Sequence, residues 1–341
     1  MKAVLIKQFY ENLGQVHVSE IPTPTPQANH VVVKVVAAGV NFVDTLYARG
    51  KHQNNRSLVR PPFILGLEFA GIVISAPQTS QFKIGDAIFG DHHGSYNEFL
   101  TVPADSPSLQ KVPSGWSLTD AAGLGATLPV SYGALALAGK LRPGETVLVH
   151  AAAGGLGIMA VQIAVAMGCR VLGTAGSDEK CTYAQSYGAS KCVNYTKDDW
   201  WKRILEETDG KGVDVVYDPV GQVDLSLKCV AHRGRILIVG FAAREGQMEK
   251  IAMNRLLLKQ VTLLGYRYGE SIRRYPEERD QIWSQLTSLI QSGKIRPTVF
   301  KVYHGLENVP EALADISSRK VLGKAVVQVS PETKKEVESK L

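Results

Sequence analysis

The sequence holds no closely spaced pair of cysteines. Cys169, Cys181, Cys192 and Cys229 stand at irregular gaps with no CxxC, which excludes a thiolate zinc knot of the usual spacing and suits reduced thiols in an intracellular setting. No HExxH segment offers another metal site. No dense block of lysine and arginine occurs either. The 38 basic and 32 acidic residues leave a net charge of +6, which suits anionic small molecules and argues against nucleic acid as a main partner. No unbroken greasy helix is present. The charge-free windows 121–139 and 151–169 have membrane-spanning length, but the first carries Thr127, Pro129 and Ser131 and the second a glycine-rich turn and Gln162. Both read as buried helices of a soluble fold. The opening MKAVLIKQF is too short in its apolar part for a secretory segment and reads as a first strand. There is no internal repeat.

What is present is ample core material, 45% hydrophobic in 341 residues, enough for two domains. Residues 1–120 are β-rich: VVVKVVAAGV (31–40), FAGIVI (69–74) and DAIFG (86–90) are short apolar runs between Pro, Gly and polar turns. From about 121 the texture changes to strands alternating with helices: ETVLVHA (145–151), a helix over 155–168, CRVLGTA (169–175), a helix over 177–188 opened by Ser177, then KCVNY, VDVVYDPV and RILIVG. This alternation predicts right-handed βαβ units and a parallel, doubly wound sheet. After about 265 a helix near 276–292, TVFKVYH, a helix at 307–319 and KAVVQV follow. The expected architecture is α/β: a β-rich domain interrupted by a doubly wound insert, with the C-terminal segment returning to the first domain.

VLVHAAAGGLGIMAVQI (147–163) carries the chemistry. The dinucleotide fingerprint GxGxxG sits between a strand and a helix. Here Ala152 takes its first position, while Gly154 and Gly157 keep the second and third, with Ala153, Gly155 and Leu156 between them. Bare backbone N–H groups at the helix start, with the helix dipole, would hold a diphosphate; the alternative is a tight turn with no ligand. The strand after that helix ends in GTAGSDEK (173–180). Gly176 stands where an NAD site carries its carboxylate, Asp178 and Glu179 come late, and Ser177 and Lys180 are placed to meet a 2′-phosphate. NADP(H) is therefore expected over NAD(H).

With these residues in view, the chain resembles the zinc-free quinone oxidoreductases related to zeta-crystallin, within the medium-chain dehydrogenase/reductase superfamily. The likeness spans about residues 1–330 and is carried by AAGVNFVDTLYARG (37–50), PFILGLEFAGIV (62–73), LPVSYGALAL (128–137), RPGETVLVHAAAGGLG (142–157), GVDVVYDPVG (212–221) and MNRLLLKQVTLLGYRYG (253–269). It implies a GroES-like catalytic domain over 1–122, a Rossmann NADP-binding domain over 123–265 and a returning segment over 266–330; beyond it, the polar PETKKEVE stretch reads as a flexible tail over 331–341. Zinc-dependent relatives carry Cys and His where this chain has Asn41 and Leu67, followed by Glu68; leucine cannot bind a metal and asparagine is a poor zinc ligand. No metal site is expected.

The resemblance also implies roles. Asn41 faces the nicotinamide side and bonds a cofactor hydroxyl or the acceptor carbonyl, unless it only caps a turn. Asp44 is a buried organiser and Tyr47 stands near a donor hydroxyl. Thr127 lies near the nicotinamide, and the backbone at Gly240 and Phe241 passes the nicotinamide riboside. Lys180, Tyr195 and Arg319 surround the 2′-phosphate. The loop KHQNNRSLVRPP (51–62) departs from the family in length and basicity, and its Lys51, Arg56 and Arg60 suit an anionic acceptor or a solvated face. The expected activity is NADPH-dependent reduction of a quinone. The alternatives are an enone or enoyl-thioester reductase, and a non-catalytic NADPH-binding protein. A homodimer through an edge strand at TLLGYRY (262–268) is expected. The terminal Ser339, Lys340 and Leu341 spell SKL, read by a peroxisomal import receptor. A peroxisomal enzyme with a cytosolic pool is the expectation.

Overall fold

The computed structural model describes residues 1–331 apart from 198, 243 and 245–247, so Ser339, Lys340 and Leu341 lie outside the described residues. The chain forms two units: Thr127–Arg296 is one, and Met1–Ala126 with the segment from Pro297 onward is the other.

The unit Thr127–Arg296 carries the βα alternation. Six parallel strands run in the order Lys191–Asn194, Arg170–Ala175, Thr146–Val149, Val213–Asp218, Val230–Ile238, Thr262–Gly265. Val147, Leu148, Val149, Val215 and Val216 are fully buried, which is why these strands read as unbroken apolar runs rather than alternating ones. The strand order reverses between Thr146–Val149 and Val213–Asp218. Doubly wound sheets take their ligands at the carboxyl ends of such a pair. The helix Gly155–Ala166 is apolar on every side apart from Gln162 and is buried continuously from Gly157 to Ala164.

Two expected boundaries move. The chain returns to the first unit at Pro297, not near 266. The helix Glu277–Gln291 buries Ile282, Trp283, Leu286 and Ile290 and packs on the helix Thr127–Tyr132, and the N–H of Arg296 donates to Gln162 Oε1 at 2.8 Å. Those contacts keep residues 266–296 with the parallel sheet. The edge strand also stops at Gly265, because Tyr268 opens a new helix, Tyr268–Arg274.

The other unit is β-rich. One mixed sheet is ordered Val299–His304, Lys324–Gln328, His30–Val40, Glu68–Ser75, Ala87–Asp91, Gln110–Lys111, with Phe99–Pro103 also paired to His30–Val40. A three-stranded sheet joins Val18–Glu20, Lys2–Ile6 and Phe63–Ile64. One apolar cluster gathers Val31, Val33, Val35, Phe69, Val73 and Ile88. A second joins Val4, Ile6 and Tyr10 to Leu306, Val309 and Leu313 of the returning segment. The return is also held by backbone pairing, with Ala325 opposite Val40 in antiparallel register. No helix among the described residues is long and apolar enough to cross a membrane.

Candidate functional site

In the parallel-sheet unit the glycine turn takes the shape its sequence requires. After the strand Thr146–Val149 the chain passes through Ala151 in the left-handed region, φ 48°. Gly154 N–H closes back on Ala151 O at 2.8 Å, and Gly154 then serves as the N-cap of Gly155–Ala166 with no side-chain cap. The first-turn N–H groups of Gly155, Leu156 and Gly157 have no acceptor within the helix. A Cβ on Gly157 would lie 2.1 Å from Ala151 O, whereas one on Gly154 would meet only that same oxygen, at 3.3 Å. Gly157 thus serves the packing of the turn, and Gly154 leaves its outer side open. Ala152 and Ala153 are buried beneath, and Ala152 N–H donates to Thr174 O at 3.0 Å.

Side chains brace this turn. Ser131 Oγ lies 3.0 Å from Leu156 O, 2.9 Å from Tyr217 Oη and 3.1 Å from the carbonyl of Thr127, which is buried at the start of its helix. His150 is buried with Nδ1 at 2.8 Å from Thr174 Oγ1 and Nε2 at 2.8 Å from Ser226 Oγ, and burial holds its pKa below the usual imidazole range. Asp218 accepts N–H bonds from Val220, Gly221 and Gln222 at 2.9, 2.8 and 2.6 Å, which fixes the loop after its strand. Gly240 lies against Pro219, where a Cβ would come within 2.8 Å of the carbonyl, and Phe241 is half exposed beside it.

At the end of Arg170–Ala175 the structure brings Gly176, Ser177, Lys180 and Tyr195 together. Ser177 caps the helix Asp178–Ser186, its Oγ accepting the Lys180 N–H at 3.2 Å. Parallel pairing sets Asn194 beside Ala175. The next residue, Tyr195, lays its hydroxyl over Gly176, where a Cβ would lie 2.8 Å from it.

The β-rich unit holds a buried polar cluster. Asn41 follows the strand His30–Val40 and is the N-cap of the helix Phe42–Ala48. Its amide nitrogen donates to Glu68 Oε2 at 2.9 Å, and its oxygen accepts from Lys324 Nζ at 2.6 Å. Lys324 Nζ also donates to Glu68 Oε2 at 2.7 Å and to Val40 O at 3.3 Å. Glu68 Oε1 accepts the Ala126 N–H at 2.8 Å. A Cβ on Gly39 would lie 2.3 Å from Glu68 Oε2, so only glycine leaves room for that carboxylate.

Asp44 Oδ2 accepts from Tyr96 Oη at 2.7 Å and from Asn41 N–H at 2.8 Å. Its Oδ1 is buried with no hydrogen-bond partner among the described residues. Burial pushes the Asp44 carboxyl up to about 7; the hydrogen bonds from Tyr96 and Asn41 and the charge of Lys324 pull the other way. Asp44 thus ties the start of its helix to Tyr96 from a buried position. Tyr47, one turn on, is buried, stacks on His52 with ring centroids 4.2 Å apart, and accepts from Asn54 Nδ2 at 2.9 Å. Arg319 belongs to this unit too, exposed after the helix Val309–Ser317 with φ 60°.

A raised carboxyl pKa favours the protonated, neutral form in the fold. The stability it contributes is complete below the unfolded value of 3.8 and is lost as pH rises through about 7. Asp44→Asn keeps the shape and stays neutral. Its melting temperature should therefore gain on the wild type from pH 5 to about pH 7 and level off above that, by the equivalent of about 1–3 kcal/mol in all. A wild-type-minus-variant difference that stays flat over that range contradicts the assignment.

Sequence reasoning missed Lys324, Tyr96, Ser131, Tyr217 and Asn194, and named Glu68 without a role. Only the polar breaks Thr127 and Ser131 in an otherwise apolar stretch carried any local signal for Ser131. Lys324, Tyr96 and Tyr217 are recruited across long stretches of chain, and Asn194 by the register of its strand.

Residues 27–114 match the alcohol dehydrogenase GroES-like domain, and residues 155–287 match the zinc-binding dehydrogenase family. The chain is 36% identical to quinone oxidoreductase-like protein 2 of Bos taurus over 92% of this chain and 89% of that one. The crystal structure of Escherichia coli quinone oxidoreductase complexed with NADPH superposes with a TM-score of 0.84 at 28% identity, covering 96% of this chain and 100% of that one. The CurK enoyl reductase does so at 0.86, with 28% identity and coverage of 96% and 99%. The chain belongs to the quinone oxidoreductase family of the medium-chain dehydrogenase/reductase superfamily.

Proposed function

We propose that this chain is an NADPH-dependent, zinc-independent reductase of quinones or similarly activated acceptors. The observation that carries the reading is the turn Ala151–Gly157, with its uncapped helix start and open backbone at Gly154. When bound, NADPH supplies a hydride to an acceptor that is already electrophilic. The chain's own residues bind and orient. The N–H groups of Gly155, Leu156 and Gly157 meet the diphosphate. Gly176, Ser177, Lys180 and Tyr195 take the 2′-phosphate. Thr127 and the backbone of Gly240 and Phe241 serve the nicotinamide end. Asn41 has a second amide hydrogen beyond the one given to Glu68 and offers it to a carbonyl.

Zinc does not fit the residues at Asn41. That place offers an amide, Leu67, and a carboxylate already joined to the ammonium of Lys324 at 2.7 Å. A divalent ion would have to displace a buried cation and would gain no thiolate or imidazole. Metal analysis of purified protein should find well under one zinc per chain.

Resemblance to the CurK enoyl reductase supports an enoyl-thioester or enone acceptor as the second reading. The basic loop gives it little help. Lys51 faces Glu11 at 3.5 Å, and the Arg60 guanidinium folds back onto the Arg56 carbonyl. NADPH oxidation measured with 1,2- and 1,4-quinones, simple enones and trans-2-enoyl-CoA should be fastest with quinones, and NADPH should exceed NADH in kcat/KM. Faster turnover of the thioester reverses the order of the two readings. Tight NADPH binding with no turnover of any acceptor leaves the non-catalytic one. For assembly we propose a homodimer joined through the edge strand Thr262–Gly265, supported by the exposed Leu257 and Leu258 just before it. Light scattering should give about twice the 37.0 kDa chain mass.

A further inference from the structure

Two acids follow the corner at Gly176 and Ser177. Asp178 and Glu179 occupy the first turn of the helix, next to where a ribose 2′-phosphate is to bind. An unscreened carboxylate there repels a dianion and favours a 2′-hydroxyl instead, as in NAD(H) sites. The fold deals with Asp178 directly. Its Oδ1 accepts from Asn194 Nδ2 at 2.9 Å, and its Oδ2 accepts from Lys197 Nζ at 2.5 Å. Lys197 and then Asn194 hold the carboxyl below the usual carboxylate range.

Both donors come from one turn, and that turn is locked. Tyr195 N–H donates to Ala175 O at 3.0 Å. Asn194 Oδ1 accepts from Thr196 N at 3.0 Å and from Thr196 Oγ1 at 2.7 Å, so the amide can only present its nitrogen to Asp178. The same four residues, 194–197, place the Tyr195 hydroxyl over Gly176. A single hydrogen-bonded turn therefore shapes the corner and offsets the charge beside it.

We propose that Asn194 and Lys197 set the coenzyme preference. They tie and neutralise Asp178, so that the corner at Gly176 and Ser177 accepts a 2′-phosphate. The proposal rests on the NADP(H) reading above. It makes Lys197 a mask for Asp178 rather than a phosphate ligand.

A double-mutant cycle tests this, read by calorimetric Kd for NADPH and NADH on the full chain. The side chains of Lys197 and Asp178 are 60% and 67% exposed, so substitution leaves the fold intact, which thermal melting checks. Lys197→Met should weaken NADPH binding about tenfold at low ionic strength, less at 0.5 M salt, with NADH unchanged or tighter. Asp178→Asn with Lys197→Met should restore NADPH affinity to within about twofold of the wild type, since nothing is left to mask. If Lys197→Met costs the same with Asn at 178, lysine is contacting the phosphate itself and the proposal is overturned. No effect of Lys197→Met overturns it as well. A wild type that binds NADH more tightly than NADPH defeats the coenzyme reading instead, and is seen before any variant is made.

Discussion

Lys324→Met is expected to destabilise the β-rich unit by about 3–5 kcal/mol. Lys324 is 1% exposed, and its ammonium donates to Val40 O, Asn41 Oδ1 and Glu68 Oε2. Methionine fills nearly the same volume, so packing changes little. What changes is Glu68. Its carboxylate is fully buried and would keep only the N–H of Ala126 and the amide of Asn41. A charge left alone in the interior is worth far more, as a penalty, than the pair is as a gain. The double variant Lys324→Met, Glu68→Gln removes that charge and should recover at least half of the loss. It should not recover all of it. Glutamate offers Ala126 N–H and Asn41 Nδ2 one carboxylate oxygen each, whereas the amide introduced by Glu68→Gln has a single acceptor oxygen for both. Thermal and urea melts of the four proteins measure this. A single Lys324→Met within about 1 kcal/mol of the wild type, or a double variant no better than the single, shows that the pair is not a buried, desolvated unit.

That cluster marks how far sequence reading reaches. The strands of the parallel sheet are legible because burial on both faces leaves a local trace, an unbroken apolar run at Val147, Leu148 and Val149. The glycine turn is legible because the geometric demand and the residue that meets it lie within a few positions. Ser177 is legible as a cap for the same reason, and in the fold its Oγ accepts the Lys180 N–H. Lys324 is not legible. It opens an apolar strand and reads as a solvated strand end. Only antiparallel pairing of Ala325 with Val40 brings it beside Asn41, 283 residues away. Tyr96 reaches Asp44 across 52 residues in the same manner. Periodicity in Glu277–Gln291 reveals an amphipathic helix, but an apolar face does not name its partner, so residues 266–296 read as part of the return when they pack with the parallel sheet. The lateness of Asp178 is visible in the spacing, while its partner Lys197 depends on strand register.

The two fingerprint glycines of the turn, Gly154 and Gly157, should fail in different ways. Gly157→Ala places a Cβ 2.1 Å from Ala151 O and 2.9 Å from Ala152 Cα, backbone atoms that cannot swing aside. The turn must open or the helix must shift, so the free protein should lose about 2–4 kcal/mol, and nucleotide binding with it. At Gly154 the backbone has φ −88° and ψ 171°, comfortable for alanine, and the nearest atom to a new Cβ is Ala151 O at 3.3 Å. Gly154→Ala should therefore melt within about 1 kcal/mol of the wild type. Its cost appears only when a diphosphate tries to approach the backbone, because the methyl stands where the phosphate oxygen must come. NADPH affinity should fall by about 1.4–3 kcal/mol, roughly ten- to a hundredfold, while the apo protein is almost unaffected. If Gly154→Ala binds NADPH as the wild type does, the diphosphate does not lie against this backbone, and the turn between Val149 and Gly155 serves helix packing alone.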